Sequence, residues 1–221
     1  MSDGKLVIGN KRYSSWSLRG WLLVRLAGLD VDEVVIPLAG GVTEALRDAT
    51  PAGLVPYLEH HGARVWESLA IAEYCAEHAP SLWPEDPVER AHARSIAAEM
   101  HAGFRALRMA MPFNACRVFP GAGRNAESLV DIARIETIWA EALAASGGRF
   151  LFGADFGAAD AMYAPVVGRF LTYGPELSEV SIAYCNAVRA HRLVDEWYRA
   201  AADEPDEWKL KKYEEGWGLC P

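Results

Sequence analysis

Gly53-Leu54-Val55-Pro56-Tyr57-Leu58-Glu59-His60-His61-Gly62-Ala63-Arg64-Val65-Trp66-Glu67-Ser68 carries the plan of the first third of the chain. Two short strand-like runs, 57–59 and 64–66, flank His60-His61-Gly62, and that spacing predicts a β-hairpin. Pro56 stands just before the first run, where it removes one ladder donor and holds Val55 extended. Val55-Pro56 reads equally as a turn proline or, if cis, as a backbone edge that pairs with an extended peptide. Glu67 and Ser68 open a helix over 68–78. The pair reads equally as capping alone, with Ser68 the cap, or as a helix end that seats a carboxylate with Glu67 accepting an ammonium.

On the N-terminal side, residues 5–9 read as a strand, 17–27 as a helix ending at Gly28, and 33–36 as a second strand stopped by Pro37. A short helix over 43–49 follows the Gly40-Gly41 break. A βαβ unit, a hairpin and a closing helix predict an α/β domain over 1–80. Pro80, Pro84 and Pro87 then predict a linker over 81–87. From 88 onward the period is helical throughout, over 88–111, 125–146, 158–173, 179–190 and 193–202, which predicts an all-α domain over 88–221. The tail after Pro205 holds Trp208, Tyr213 and Trp217 and is expected to pack back onto the body.

With 51% hydrophobic and 24% charged residues, the 221-residue chain has the composition of a soluble globular protein. A net charge of −8 with scattered Lys and Arg argues against nucleic acid and anionic membranes as partners. The most apolar stretch, 21–29, is short and carries Arg25, so no spanning helix is expected. Cys75, Cys116, Cys185 and Cys220 have neither metal-ligand nor Cys-x-x-Cys spacing and read as reduced thiols. Met1 to Lys5 leads directly into strand-like Leu6-Val7-Ile8 without a signal-peptide core, so a cytoplasmic location is expected. The six histidines show no metal-ligand pattern, His60-His61 falling on a turn, and no metal is expected.

Tyr13-Ser14-Ser15-Trp16-Ser17-Leu18-Arg19 lies between the first strand and the first helix. Hydroxyls at a helix N-terminus sit where free N–H groups and the macrodipole favour negative charge. Ser14 and Ser15 therefore either cap the helix or donate to a substrate thiolate held over its end. A thiol of pKa about 8.5 must drop by about 2 units to ionise at neutral pH, a bias of about 2.7 kcal/mol. One or two hydrogen bonds to an ion supply that. No Gly-x-Ser-x-Gly elbow surrounds these serines, so a hydrolase is not implied.

Together these motifs resemble the glutathione transferase superfamily, and Ser14-Ser15-Trp16-Ser17-Leu18-Arg19 is most similar to the Ser-Ser-x-Ser-x-Arg pattern of its zeta class. The resemblance implies a thioredoxin-like N-terminal domain and an all-α C-terminal domain. It implies that Ser14, with Ser15 beside it, activates the glutathione thiol, and that the Val55-Pro56 backbone pairs with the cysteinyl portion. Glu67 and Ser68 would bind the γ-glutamyl end. Phe150 to Gly153 and Ala159-Asp160-Ala161 resemble the superfamily's capping-box segment, with Gly157 in the place of the box's Ser or Thr.

Leu54 stands where the superfamily often has a polar residue, which leaves the glycyl-end contact open to Lys11 and Arg12. Trp16 replaces the zeta-class cysteine and narrows the site. The electrophile pocket is expected from Trp16, Met109, Met111, Phe113 and Arg117, on the ground that Met and aromatic side chains accommodate varied apolar ligands. The resemblance implies a homodimer that conjugates the glutathione thiolate to a small apolar electrophile in detoxification. The alternatives are a glutathione-dependent isomerase of the maleylacetoacetate type and a non-catalytic binding protein on the same fold.

Overall fold

The computed structural model describes residues 2–215. Four strands, β1 (Gly4–Gly9), β2 (Asp32–Ile36), β3 (Tyr57–His60) and β4 (Ala63–Trp66), form a sheet in the order β2-β1-β3-β4. β2 runs parallel to β1, with Val7 opposite Val34, and the β3–β4 hairpin completes the sheet antiparallel, with Leu6 opposite Leu58. Side chains alternate between the faces. Leu6, Ile8 and Leu58 enter the main core with α1 (Ser15–Ala27) and α3 (Ser68–His78), whereas Val7, Ile36 and Tyr57 pack with Leu46 of α2 (Glu44–Ala49). This is the thioredoxin-like arrangement expected for the first part of the chain.

α1 begins two residues earlier than its apolar period, because Ser14 accepts from the Ser17 N–H and caps it. It ends at Gly28, whose φ of 69° lies in the left-handed region. Val55-Pro56 is cis, and Gly20 faces it; a Cβ at Gly20 would fall 2.7 Å from the Pro56 ring. Only glycine allows this helix to approach the ring so closely.

The remainder is helical, as expected. α4 (Pro87–Ala102), α5 (Arg105–Ala110), α6 (Ala126–Ser146), α7 (Ala158–Tyr173), α8 (Glu179–Arg189), α9 (Arg192–Ala202) and α10 (Lys211–Glu214) follow in order. The single helix expected over 88–111 is corrected to two. Gly103 leaves helical geometry, Phe104 turns to φ 56°, and the Arg108 guanidinium donates to the Met100 and His101 carbonyls, closing the end of α4. α7 runs through the core almost wholly buried, and Trp139 meets Tyr163, Phe170 and Tyr184 edge-on beside it.

At the start of α7, Asp160 is 1% exposed and accepts from the Leu151 and Gly157 N–H groups and from the Tyr184 hydroxyl. Burial pushes its carboxyl up to about 6, against those three donors. A Cβ at Gly157 would sit 3.1 Å from the Leu82 carbonyl oxygen, so this position has little room for the Ser or Thr of a complete capping box. The tail does pack back as expected. Tyr213 stacks on Tyr13 at 5.2 Å, Leu210 N donates to the Tyr13 hydroxyl, and Trp208 is half-buried. Trp217 and Cys220 lie outside the described residues.

Candidate active site

The N-terminus of α1 opens into a cavity of about 390 Å³ lined by Ser14, Ser15, Trp16, Val55, Phe113 and Arg169, among others. A recess of about 460 Å³ shares Trp16, Leu54, Val55 and Arg108 with it and extends to Pro56, Glu67 and His101. A larger cavity of about 510 Å³ lies around Pro80–Leu82 and Asp160, where the carboxylate is already committed to capping. The first two spaces therefore make up the candidate site. They bring together the serine loop, the Val55-Pro56 corner and Glu67, which are far apart in sequence.

Ser14 is 5% exposed, and its hydroxyl donates to Ser17 Oγ at 2.7 Å. Ser17 Oγ in turn accepts the Gly9 N–H at 2.9 Å. Because Ser17 carries a hydrogen of its own, reversing the hydroxyl pair frees the Ser14 hydrogen for a ligand while the chain stays anchored on Gly9. Ser15 is half-buried and accepts from Arg169 Nη2 at 3.3 Å, which leaves its own hydrogen available. Tyr13 is differently placed. Its hydroxyl donates to Glu214 at 2.6 Å and accepts from Leu210 N, and burial with the carboxylate pushes its ionisation up, so it remains a neutral phenol.

Trp16 is flanked by two guanidinium groups, Arg19 at 4.7 Å and Arg108 at 4.9 Å from its ring centre, and His101 meets its edge. Arg19 Nε donates to the Met162 carbonyl, while its Nη1 has no partner among the described residues. Arg169 bonds the Met111 and Pro165 carbonyls as well as Ser15. Among the described residues, no carboxylate forms an ion pair with any of these three arginines. Burial and mutual repulsion push Arg19 well below the ordinary arginine range and Arg169 down to about 10. Asp131 partly offsets the charge of Arg108, and Arg108 and Arg169 stand on the cavity wall, so an anion entering here meets a net positive end.

Glu67 is the N-cap of α3 at φ 68°, with no side-chain capping bond, and Ser68 is the first helical residue. The expected capping role of Ser68 is thereby corrected. Ser68 is fully buried, with its Oγ 3.5 Å from His101 Nδ1, and Glu67 lies 3.5 Å from His101 Nε2. Burial holds the His101 ring below its ordinary value, opposed by Glu67.

Of the residues expected to line the electrophile pocket, Trp16 and Phe113 stand on the cavity wall. Met111 is fully buried in the core, Met109 is largely exposed, and Arg117 faces outward toward Glu214; none of the three is on the wall. Lys11 and Arg12 are already engaged, Lys11 with Glu33 and Arg12 with Glu204 and Glu214. Sequence reasoning missed His101, Arg108 and Arg169. The legible sign for Arg169 was a lone charge in the apolar helical run 161–173.

Hairpin pairing draws Asp3, His60 and His61 together, away from this cavity.

Residues 13–78 match the family description "Glutathione S-transferase, N-terminal domain", and residues 89–200 match "Glutathione S-transferase, C-terminal domain". The chain belongs to the glutathione S-transferase family. It is 34% identical over 110 residues to a probable maleylacetoacetate isomerase of Caenorhabditis elegans, covering 48% of this chain and 51% of that one. It is 38% identical over 104 residues to glutathione S-transferase U16 of Arabidopsis thaliana, covering 44% of each. The chain spans about half the length of such curated relatives. Among solved structures, a glutathione transferase homolog from Burkholderia GL BGR1 with bound glutathione superposes with a TM-score of 0.70 at 20% identity, covering 91% of this chain and 99% of that one. The theta class enzyme of Xanthomonas axonopodis pv. citri with glutathione bound gives 0.66 at 23%, covering 90% and 98%. At that identity the agreement is one of fold.

Proposed function

We propose that this glutathione S-transferase family chain binds glutathione with its sulfur over the N-terminus of α1 and transfers the thiolate to an electrophile in the adjoining cavity. The observation that carries the reading is the convergence of Ser14, Ser15, Val55 and Glu67 on two connected spaces at that helix end. Backbone N–H groups and the hydroxyls stabilise the sulfur as a thiolate. The Val55-Pro56 edge pairs with the cysteinyl backbone, and Glu67 and Ser68 hold the γ-glutamyl end. Calorimetric titration with glutathione tests this. Binding is expected, and Glu67→Ala is expected to weaken it about tenfold while changing turnover at saturation little. Absence of binding to the wild-type chain would leave only the non-catalytic reading.

The three arginines favour a specific version of the second substrate. Leu38, Val42, Leu54 and Phe113 offer an apolar wall, and Arg108 and Arg169 a cationic end. That combination suits an electrophile with an apolar body and a carboxylate, in keeping with isomerisation or addition on an unsaturated acid. Arg169→Met is expected to lower kcat/KM about 10–100-fold for a carboxylated electrophile and much less for its methyl ester. Equal losses on acid and ester would sink the carboxylate assignment. A homodimer and a cytoplasmic location complete the proposal. Cys75, Cys116 and Cys185 are free thiols, and among the described residues no helix is long and apolar enough to cross a membrane.

A further inference from the structure

At the turn of the β3–β4 hairpin, Asp3, His60 and His61 each offer one ligand atom, and the three atoms lie within 4.8 Å of one another. We propose that they form a binding site for a borderline divalent cation of the zinc, cobalt or nickel type, independent of the glutathione site. His61 Nε2 and Asp3 Oδ2 are 3.7 Å apart, close to the spacing of about 3.3 Å between neighbouring ligand atoms on a tetrahedral zinc ion. The remaining gap closes by rotation of the exposed His61 and Asp3 side chains, since both are about half exposed or more.

The backbone holds these positions without help from a metal. His61 N donates to the Asp3 carbonyl at 3.0 Å, and Gly4 pairs with His60 in the sheet. His61 takes φ 48° and Gly62 φ 84°, the tight reversal that sets His61 beside the start of β1. His60 is 4% exposed, and its orientation is fixed from behind. The Tyr74 hydroxyl lies 2.9 Å from His60 Nδ1 and 3.3 Å from the His60 carbonyl; when it donates to the carbonyl it can accept the Nδ1 proton, the tautomer that leaves the Nε2 lone pair for a ligand. Histidines that bind metals are commonly oriented by such an outer partner. The His78 ring stands 5.2 Å from that of His60 and supplies a further imidazole at the rim.

Two imidazoles and one carboxylate select a borderline cation over magnesium or calcium, which prefer all-oxygen shells. With no thiolate in the set, affinity in the micromolar range is expected. A bound ion would tie the first residues of β1 to the hairpin turn and raise the melting temperature by linkage.

The test uses the untagged full chain without glutathione, which itself chelates zinc. Calorimetric titration with zinc, visible absorption with cobalt and thermal melting are compared for wild type, His61→Ala and Asp3→Asn. Both variants alter exposed side chains, so folding is retained and is checked by melting without metal. One zinc per chain is expected, with affinity at least tenfold lower in each variant, and a metal-dependent rise in melting temperature seen in wild type alone. The proposal is overturned by absence of saturable binding in wild type, or by equal binding in wild type and both variants, which would put the ion at another site. Conjugation of glutathione is expected to be unchanged in both variants.

Discussion

Glutathione bound to the Ser14→Ala protein is expected to ionise about 1–2 pH units higher than glutathione bound to wild type. A hydrogen bond to a charged acceptor contributes about 1.5–3 kcal/mol, and each pH unit of thiol ionisation corresponds to about 1.4 kcal/mol. Turnover with the variant should therefore fall about 10–100-fold near pH 6.5 and recover as pH rises and the thiol ionises unaided. Affinity for glutathione should change little, because the γ-glutamyl contacts proposed at Glu67 are untouched.

Ser14 also caps α1, so a separate loss of about 1 kcal/mol in stability is expected and is read from thermal melting. Ser14→Thr, which retains the hydroxyl, should restore much of the activity. The decisive measurement is thiolate absorbance against pH for wild type, Ser14→Ala and Ser15→Ala. An unshifted curve in Ser14→Ala beside a raised one in Ser15→Ala would move the role to Ser15 and its Arg169 partner. No shift in either would leave the backbone of the helix end as the stabilising group.

Asp160→Ala is expected to cost about 2–4 kcal/mol at neutral pH, a large share of the about 5–15 kcal/mol that holds a domain together. The change strands three donors at once, the Leu151 and Gly157 N–H groups and the Tyr184 hydroxyl, in a place where Tyr184 is itself fully buried. The pH dependence has a defined sign. The folded carboxyl holds its proton up to about pH 6, above the unfolded value of about 3.9. Its contribution to stability is therefore greatest below about pH 4 and is lost as pH rises through about 6. The deficit of Asp160→Ala relative to wild type should accordingly shrink across that window in denaturant titrations. Activity per folded molecule should be close to wild type, and a selective loss of turnover with normal folding would reassign Asp160 to the active site.

The sheet was legible because its signals are local. The short strand-like runs at 5–9 and 57–59, a proline before β3 and glycines at 28 and 62 each constrain their own neighbourhood. The helix break at Gly103-Phe104 was not legible in that way. A glycine inside an otherwise continuous helical period is tolerated, and the group that closes α4, Arg108, approaches from the following helix. The site divides along the same line. Ser14, Val55 and Glu67 sit beside recognisable turn and cap chemistry, whereas His101 and Arg169 come from helices whose rotation is set by packing. The approach of Asp3 to His60 and His61 depends on the pairing of Gly4 with His60, a register that spacing alone does not supply.

Both carboxylate oxygens of Glu204 accept from the serine loop, at the N–H groups of Lys11 and Arg12, and Trp197 donates to the Lys11 carbonyl at 3.0 Å. With Tyr213 stacked on Tyr13, the loop that precedes Ser14 is braced by residues 197–214. Order of synthesis therefore matters. A nascent chain has its sheet and its serines long before it has these braces, so the loop is braced only once residues 197–214 have emerged. Loss of residues 197–214 is expected to leave that loop unbraced with Ser14 itself unchanged, an effect that would resemble a substitution in the loop.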